Sequence, residues 1–102
     1  MWYSASLLFK SERDGICAVE MLWEEQIVLI EAEDEVEAKQ KATQYGAAKE
    51  HEYRNQKGES VRWVFKQIER VCEVDPTLKD GAEVFSRFLR ESEVKSLLTP
   101  FD

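Results

Sequence analysis

Glycine, cysteine and histidine are scarce in this 102-residue chain, and their scarcity argues against several kinds of site. The four glycines have no phosphate-cradling spacing, which makes nucleotide hydrolysis improbable. The two cysteines, Cys17 and Cys72, lie far apart and outside any zinc-type spacing. The sequence allows a disulfide between them, but we favour two reduced, small core residues. The single histidine, His51, is predicted to lie on the surface at the start of a strand. We therefore expect no metal, no cofactor and no enzymatic activity.

Long hydrophobic runs and basic clusters are also missing. No apolar run approaches the length that spans a bilayer, and the N-terminus lacks the basic region of a signal peptide, so we expect a cytoplasmic protein without a membrane partner. The formal net charge is −7, and the 14 basic residues are interleaved with 21 acidic ones. Because nucleic-acid binding depends on basic side chains that neutralise phosphates, no nucleic-acid partner is expected.

The hydrophobic residues of the chain occur in short segments with the spacing of strands or helices. Together with the length of 102 residues, this predicts one domain over residues 1–102. Residues 2–10 alternate and place Tyr3, Ala5, Leu7 and Phe9 on one face of a half-buried strand. A polar turn at residues 11–15 follows. A second strand is expected from about residue 16 as far as residue 32, with a β-branched apolar core at residues 26–30.

A capped helix follows the second strand. Asp34 is a suitable N-cap, and Glu37 three residues later completes a capping box. Ala38, Ala42 and Tyr45 then recur at i, i+4 and i+7, which is helical spacing. The small side chains of Ala38 and Ala42 predict a helix that lies close against the sheet, and the pattern fades near residues 46–48.

The second half of the chain predicts a hairpin, with arms at residues 51–55 and 60–74 around a turn at residues 56–59. Ile68 and Cys72 have the opposite parity from Trp63, which indicates a β-bulge or a break. Residues 83–90 fit either a strand or a helix, and we favour a strand followed by a short C-terminal helix. The predicted fold is α+β: a mainly antiparallel sheet of four or five strands, in chain order β-β-α-β-β-(β)-α, with one long helix packed on one face.

Five segments of the chain resemble a family of small bacterial proteins. They are Trp2-Tyr3-Ser4-Ala5, Leu22-Trp23-Glu24-Glu25, Val28-Leu29-Ile30-Glu31-Ala32, Ser60-Val61-Arg62-Trp63 and Asp80-Gly81-Ala82-Glu83-Val84-Phe85-Ser86-Arg87. On these segments the chain resembles the domain of unknown function 4288 family. The family has no assigned activity, cofactor or partner, so the resemblance identifies no functional residues. It does favour a strand-like segment close to the sheet at residues 83–87.

The candidate contact residues are charged and aromatic. Glu24, Glu25 and Glu83 could form a carboxylate cluster for acid–base chemistry or for a hard cation, but we favour solvated charges on a strand edge. Arg62 and Arg87 could flank an aromatic floor and bind an acidic ligand, but we favour ion pairs of these arginines with Glu24 or Glu25. The full set of candidate ligand or partner contacts is Trp23, Glu24, Glu25, Arg62, Trp63, Glu83 and Arg87.

The distribution of large apolar residues over the two sheet faces favours one functional hypothesis. One helix covers only one face of a sheet, yet large apolar residues alternate onto both faces, and exposed aromatic patches usually mark contact sites. We therefore predict a non-enzymatic interaction module, a homodimer or a protein with a protein partner, that uses its second sheet face or an edge strand. The competing idea is a lid of Phe85, Phe88, Leu97 and Leu98. Two alternatives are a small ligand-binding protein or hydrolase with a Glu/Arg cluster, and an immunity or antitoxin-like protein that binds a basic partner.

Overall fold

The computed structural model describes residues 1–13 and 22–99. These residues form one four-stranded antiparallel sheet, in the spatial order β2-β1-β4-β3, and two helices. The α+β class and the antiparallel sheet are thus confirmed. The elements in chain order are β1 (Trp2–Arg13), β2 (Trp23–Glu31), α1 (Glu35–Ala48), β3 (His51–Arg54), β4 (Ser60–Glu73) and α2 (Glu91–Leu98).

The hydrophobic core lies between α1 and one face of the sheet, here called the helix face. The alternating residues of β1 predicted from the sequence form its centre, since β1 is flanked by β2 and β4. Burial of this alternating row explains why β1 occupies a central position, where both of its edges are paired. The buried cluster consists of Tyr3, Ala5, Leu7, Phe9, Ile30, Ala32, Ala38 and Ala42.

Helix α1 begins after the predicted N-cap, Asp34, and ends at Ala48, close to the predicted end. The backbone N–H of Glu37 donates a hydrogen bond of 2.8 Å to Asp34 Oδ1, which confirms the N-cap. The buried positions of α1 are Ala38, Ala42 and Gly46, whose small size allows close contact with the sheet. At 14 residues the helix is nevertheless short, and α2 has only 8 residues, so the expectation of one long helix is wrong. Lys49 ends α1 as its C-cap.

Strand β4 contains two bulges, where the sequence indicated one slip. Ser6 pairs with Arg70 but Leu7 with Ile68, and Leu8 pairs with Gln67 but Phe9 with Phe65. Glu69 and Lys66 are therefore extra residues without a partner on β1. The first bulge turns Ile68 toward the core, and the second returns the remainder of β4 to its original parity, so that Cys72 lies on the face opposite the core.

The expected fifth strand is absent from the described residues. Residues 83–90 form no strand, because this segment crosses one face of the sheet and does not line up along an edge. The expectation for residues 83–87 is therefore wrong in its secondary structure, although the segment does lie close to the sheet. The second hairpin, β3 with β4, is confirmed. The early part of the second strand, through residue 21, lies outside the described residues.

Candidate interaction surface

The face of the sheet opposite α1, here called the second face, is partly covered by the chain itself. Residues 82–90, here called the strap, run from the end of β4 toward β2. The Arg70 Nη1 atom donates a 2.8 Å hydrogen bond to the Ser86 carbonyl oxygen. The guanidinium carbons of Arg70 and Arg87 lie 5.6 and 6.0 Å from the centre of the Phe85 ring. The strap is thus held by two cation–π contacts and a charge-assisted hydrogen bond.

The far end of the strap is tied to the edge strand β2. Arg87 Nη1 lies 3.9 Å from Glu25 Oε2, and the same carboxylate oxygen accepts a 2.5 Å hydrogen bond from Ser6 Oγ. Ser4 and Ser6 project from β1 onto the second face, yet both are fully buried. We infer that the strap shields this central row from water. Contacts with Arg70 on β4 and Glu25 on β2 therefore hold the strap across the intervening strand β1.

A small cavity lies where the strap meets the end of β4. Its volume is about 190 Å³, and its lining consists of Cys72, Glu73, Asp75, Glu83, Val84, Phe85 and Ser86. Glu83 is thus placed with two other carboxylates, away from the Glu25–Arg87 pair. Within residues 1–13 and 22–99, no group of three or more histidine, cysteine or acidic residues is arranged to hold a metal ion. The Cys72 side chain is a free, half-buried thiol.

The candidate residues from the sequence do not come together as one site. Glu25 and Arg87 do meet, but Glu24 lies on the helix face, where Gln26 Nε2 donates a 2.9 Å hydrogen bond to it. Trp63 also packs on the helix face, against the core. The hydrolase hypothesis required Glu24, Glu25, Glu83 and Arg87 to converge in one pocket, but Glu24 lies on the opposite face of the sheet from Glu25, and the cavity that Glu83 lines includes none of the other three.

Arg62 lies at the other end of β4 from the strap. Arg62 Nη2 donates a 2.9 Å hydrogen bond to Glu12 Oε1, and Lys66 Nζ lies 3.3 Å from Glu12 Oε2. Arg62 and Arg87 therefore do not bracket an aromatic floor, and Arg87 instead forms an ion pair with Glu25, of the kind that the favoured alternative named. Arg70 lies beside Phe85 on the second face instead, and the two bulges in β4 set its register opposite Ser6.

The Glu12 cluster leads to a pH prediction. Hydrogen bonds from Arg62 and then Lys66 lower the pKa of Glu12 below its ordinary value of 4.5. A carboxyl with a depressed pKa in the folded state stabilises the fold above about pH 4.5 and loses that contribution as the pH falls through the folded-state pKa. We expect Glu12→Gln to destabilise the protein at neutral pH and to match the wild type in strong acid. Urea unfolding across this pH range measures both.

The control for this prediction is Glu33→Gln, which removes an exposed carboxylate that has no ion pair among the described residues. A stability difference between wild type and Glu12→Gln that stays constant from neutral to acidic pH would contradict the assignment.

The outer edge of β2 is not paired with any other described strand. In the described part of the chain, β2 pairs with β1 on one side only, so it ends the sheet. On its second face Trp23, Ile27 and Leu29 are each about half exposed, at 48, 49 and 50%. The Trp23 ring also lies 5.5 Å from Lys10 Nζ. A nine-residue edge with exposed apolar side chains is a template for pairing with another strand.

The C-terminal lid suggested by the sequence forms only in part. Phe85 is half-buried in the strap, but Phe88 is completely exposed, and Leu97 and Leu98 are 61 and 76% exposed. Helix α2 has no buried residue and approaches none of the other described helices and strands. The lid is thus the strap alone, without the helix that follows it. No described helix is long and apolar enough to cross a membrane.

Sequence reasoning missed Arg70, Phe85 and Ser6 as parts of this surface. Arg70 lies on the second face because the bulge at Glu69 offsets the bulge at Lys66. The alternation in the sequence indicates only one irregularity, and only its approximate position. Phe85 lies in the segment that fits both helical and extended patterns. The one available signal was the pair of residues Ser4 and Ser6, whose small polar side chains on the second face indicate a close approach of backbone or side chains.

Comparison with known proteins bears on the family of this chain and not on its activity. The family model described as "Domain of unknown function (DUF4288)" matches residues 2–86. No curated protein matches the chain, and no solved structure matches it. The matched range includes all four strands, α1 and most of the strap, and it ends before α2.

Proposed function

Since the chain belongs to the DUF4288 family, whose description names no activity, we propose a function from the geometry of its surface: a non-enzymatic protein-interaction module that self-associates. The observation that carries the proposal is the open edge of β2 with its row of half-exposed apolar side chains. The proposed dimer forms when the β2 strands of two copies pair side by side and join the two sheets into one. A cytoplasmic, bacterial setting is part of the proposal and rests on the sequence expectations.

Charge and register support an antiparallel pairing of β2 with a second copy. If the two-fold axis passes through Ile27, all nine residues of β2 pair with the nine residues of β2 in the second copy. It places Glu24 opposite Ile30 of the partner subunit, Glu25 opposite Leu29 of the partner subunit and Trp23 opposite Glu31 of the partner subunit. No glutamate then faces another glutamate, which removes the like-charge repulsion that destabilises directly opposed pairs. A shift of the axis to Val28 would pair Glu25 with Glu31 of the partner subunit.

The opposite edge of the sheet is a poorer template. Strand β3 has only four residues, His51–Arg54, and all four are exposed and polar or aromatic. Short edge strands with charged side chains are a common device against pairing. His51 is exposed, and its ring stacks on that of Tyr53 at 6.0 Å between ring centres. The sheet therefore has one protected edge and one open edge.

The test is a single charge at the centre of the proposed seam. Ile27→Lys places two lysines at the two-fold axis and removes the apolar cross-strand contact. We expect the dimer dissociation constant to rise at least about tenfold, or 1.4 kcal/mol. Size-exclusion chromatography with light scattering across a dilution series measures it. Because Ile27 is half exposed, the variant is expected to remain folded.

The matched control is Tyr53→Lys, which introduces the same charge on β3 at a side chain that is 46% exposed. We expect this variant to dimerise like the wild type. A wild type that remains a monomer at every concentration, or a dimer disrupted by Tyr53→Lys and not by Ile27→Lys, would overturn the proposed function.

A further inference from the structure

The strap gives helix α2 a defined starting point. It crosses the second face from β4 to β2, and the Arg87–Glu25 ion pair fixes it at the edge strand. Residues 88–90 then connect Arg87 to Glu91, the first residue of α2, over a distance of at most about 14 Å. The chain therefore leaves the sheet at its open edge, and α2 is not folded back over the strands of its own subunit.

Helix α2 has no packing partner among the other described helices and strands of its subunit. An isolated helix of 8 residues is too short to be stable in water without tertiary contacts. Helix α2 therefore needs a surface that its own subunit, within the described residues, does not supply.

The helix carries an apolar face that suits such a surface. Val94, Leu97 and Leu98 lie at i, i+3 and i+4, on one side of the helix, while Ser92 and Ser96 lie on the other side. Glu93 fixes the start of the helix by accepting a 3.0 Å hydrogen bond from the backbone N–H of Arg90. The apolar face is thus presented by a helix with a stabilised N-terminus.

We propose that α2 is a dimer arm, which packs Val94, Leu97 and Leu98 on the exposed apolar side chains of β2 in the second copy. This inference rests on the proposed function. In the register centred on Ile27, Glu25 lies directly opposite Leu29 of the partner subunit. The ion pair between Arg87 and Glu25 therefore places the start of the arm close to the partner's Leu29 and the partner's Ile27, whose side chains are half exposed. Two-fold symmetry gives two such arms, which cover both halves of the seam.

The test changes only the apolar face of the arm in the full chain. Leu97→Glu with Leu98→Glu is expected to raise the dimer dissociation constant at least about tenfold, because four leucines in the dimer lose their apolar contacts. Both side chains are largely exposed in the subunit, so the fold is expected to stay unchanged, as is its unfolding midpoint at a concentration where the dimer is dissociated. The control is Ser92→Glu with Ser96→Glu, which adds the same charge to the other side of α2 and is expected to leave the constant unchanged.

The outcomes separate this inference from the proposed function. If Ile27→Lys weakens the dimer and the double leucine variant does not, the arm is refuted and the edge pairing stands. If the wild type is a monomer at every concentration, both are refuted. If both serine and leucine variants weaken the dimer equally, added charge and not the apolar face is responsible, which also refutes the arm.

Discussion

Phe9→Ala is expected to lower the free energy of unfolding by about 3–5 kcal/mol, the usual cost of removing a buried aromatic ring. Phe9 is the largest fully buried side chain of the described residues and lies on the central strand β1. Its ring centre is 5.6 Å from that of Phe65, with the ring planes tilted by 54°. Since domains of this size are stable by only about 5–15 kcal/mol, the loss is a large share of the total.

The matched control for this prediction is Phe88→Ala, which deletes the same atoms from a side chain that makes no buried contact in the subunit. Its expected effect on the free energy of unfolding is within about 0.5 kcal/mol. Urea or thermal unfolding at a protein concentration where Ile27→Lys is monomeric, with all variants made in that background, measures the two changes without a contribution from dimerisation. Equal effects of the two substitutions would contradict the assigned core.

Gly46→Val is expected to destabilise the protein by about 2 kcal/mol or more through overpacking. A Cβ atom added at Gly46 would lie 2.6 to 2.7 Å from three ring atoms of Phe65, including Cγ at the base of the ring. The ring cannot avoid this contact by moving its far end alone, so either α1 or β4 has to shift. The glycine is therefore required by the close approach of the helix to the sheet.

Helix propensity is separated from this steric effect by Ala47→Val on the exposed side of α1. Valine costs up to about 0.7 kcal/mol relative to alanine in a helix, and glycine costs about 1 kcal/mol, so propensity alone would make Gly46→Val slightly stabilising. We expect Phe65→Leu, made in the Gly46→Val background, to restore part of the lost stability. A Gly46→Val protein as stable as the wild type would show that the helix moves away at little cost.

Local signals in the sequence predict much of the fold. Alternation identifies Tyr3 to Phe9 as a core strand, and Asp34 identifies the start of α1, because each signal depends on neighbouring residues only. The parity of Ile68 indicates an irregularity in β4 for the same reason. The length of the helix and the absence of a fifth strand were predicted wrongly, since both depend on how distant segments pack.

The candidate surface was harder to predict than the fold. Glu25 and Arg87 are 62 positions apart in the sequence, and their contact depends on the path of the strap across β1. Trp63 and Trp23 look equivalent as exposed aromatic candidates, but the antiparallel register places them on opposite faces. Glu24 and Glu25 are separated in the same way, because neighbours in a strand point to opposite sides. Only pairing between strands determines which candidate residues share a face.

The two bulges of β4 offset each other: the second restores the alternation of side chains that the first reverses. Lys66 acts as an insertion that turns every following side chain over, and Glu69 acts as a second insertion that corrects the first. Deletion of either residue alone would exchange core and solvent positions along one part of the strand, whereas loss of both would leave the outer ends of β4 in phase with β1. Only the short stretch between the two bulges has the opposite alternation, and this places Ile68 against the core.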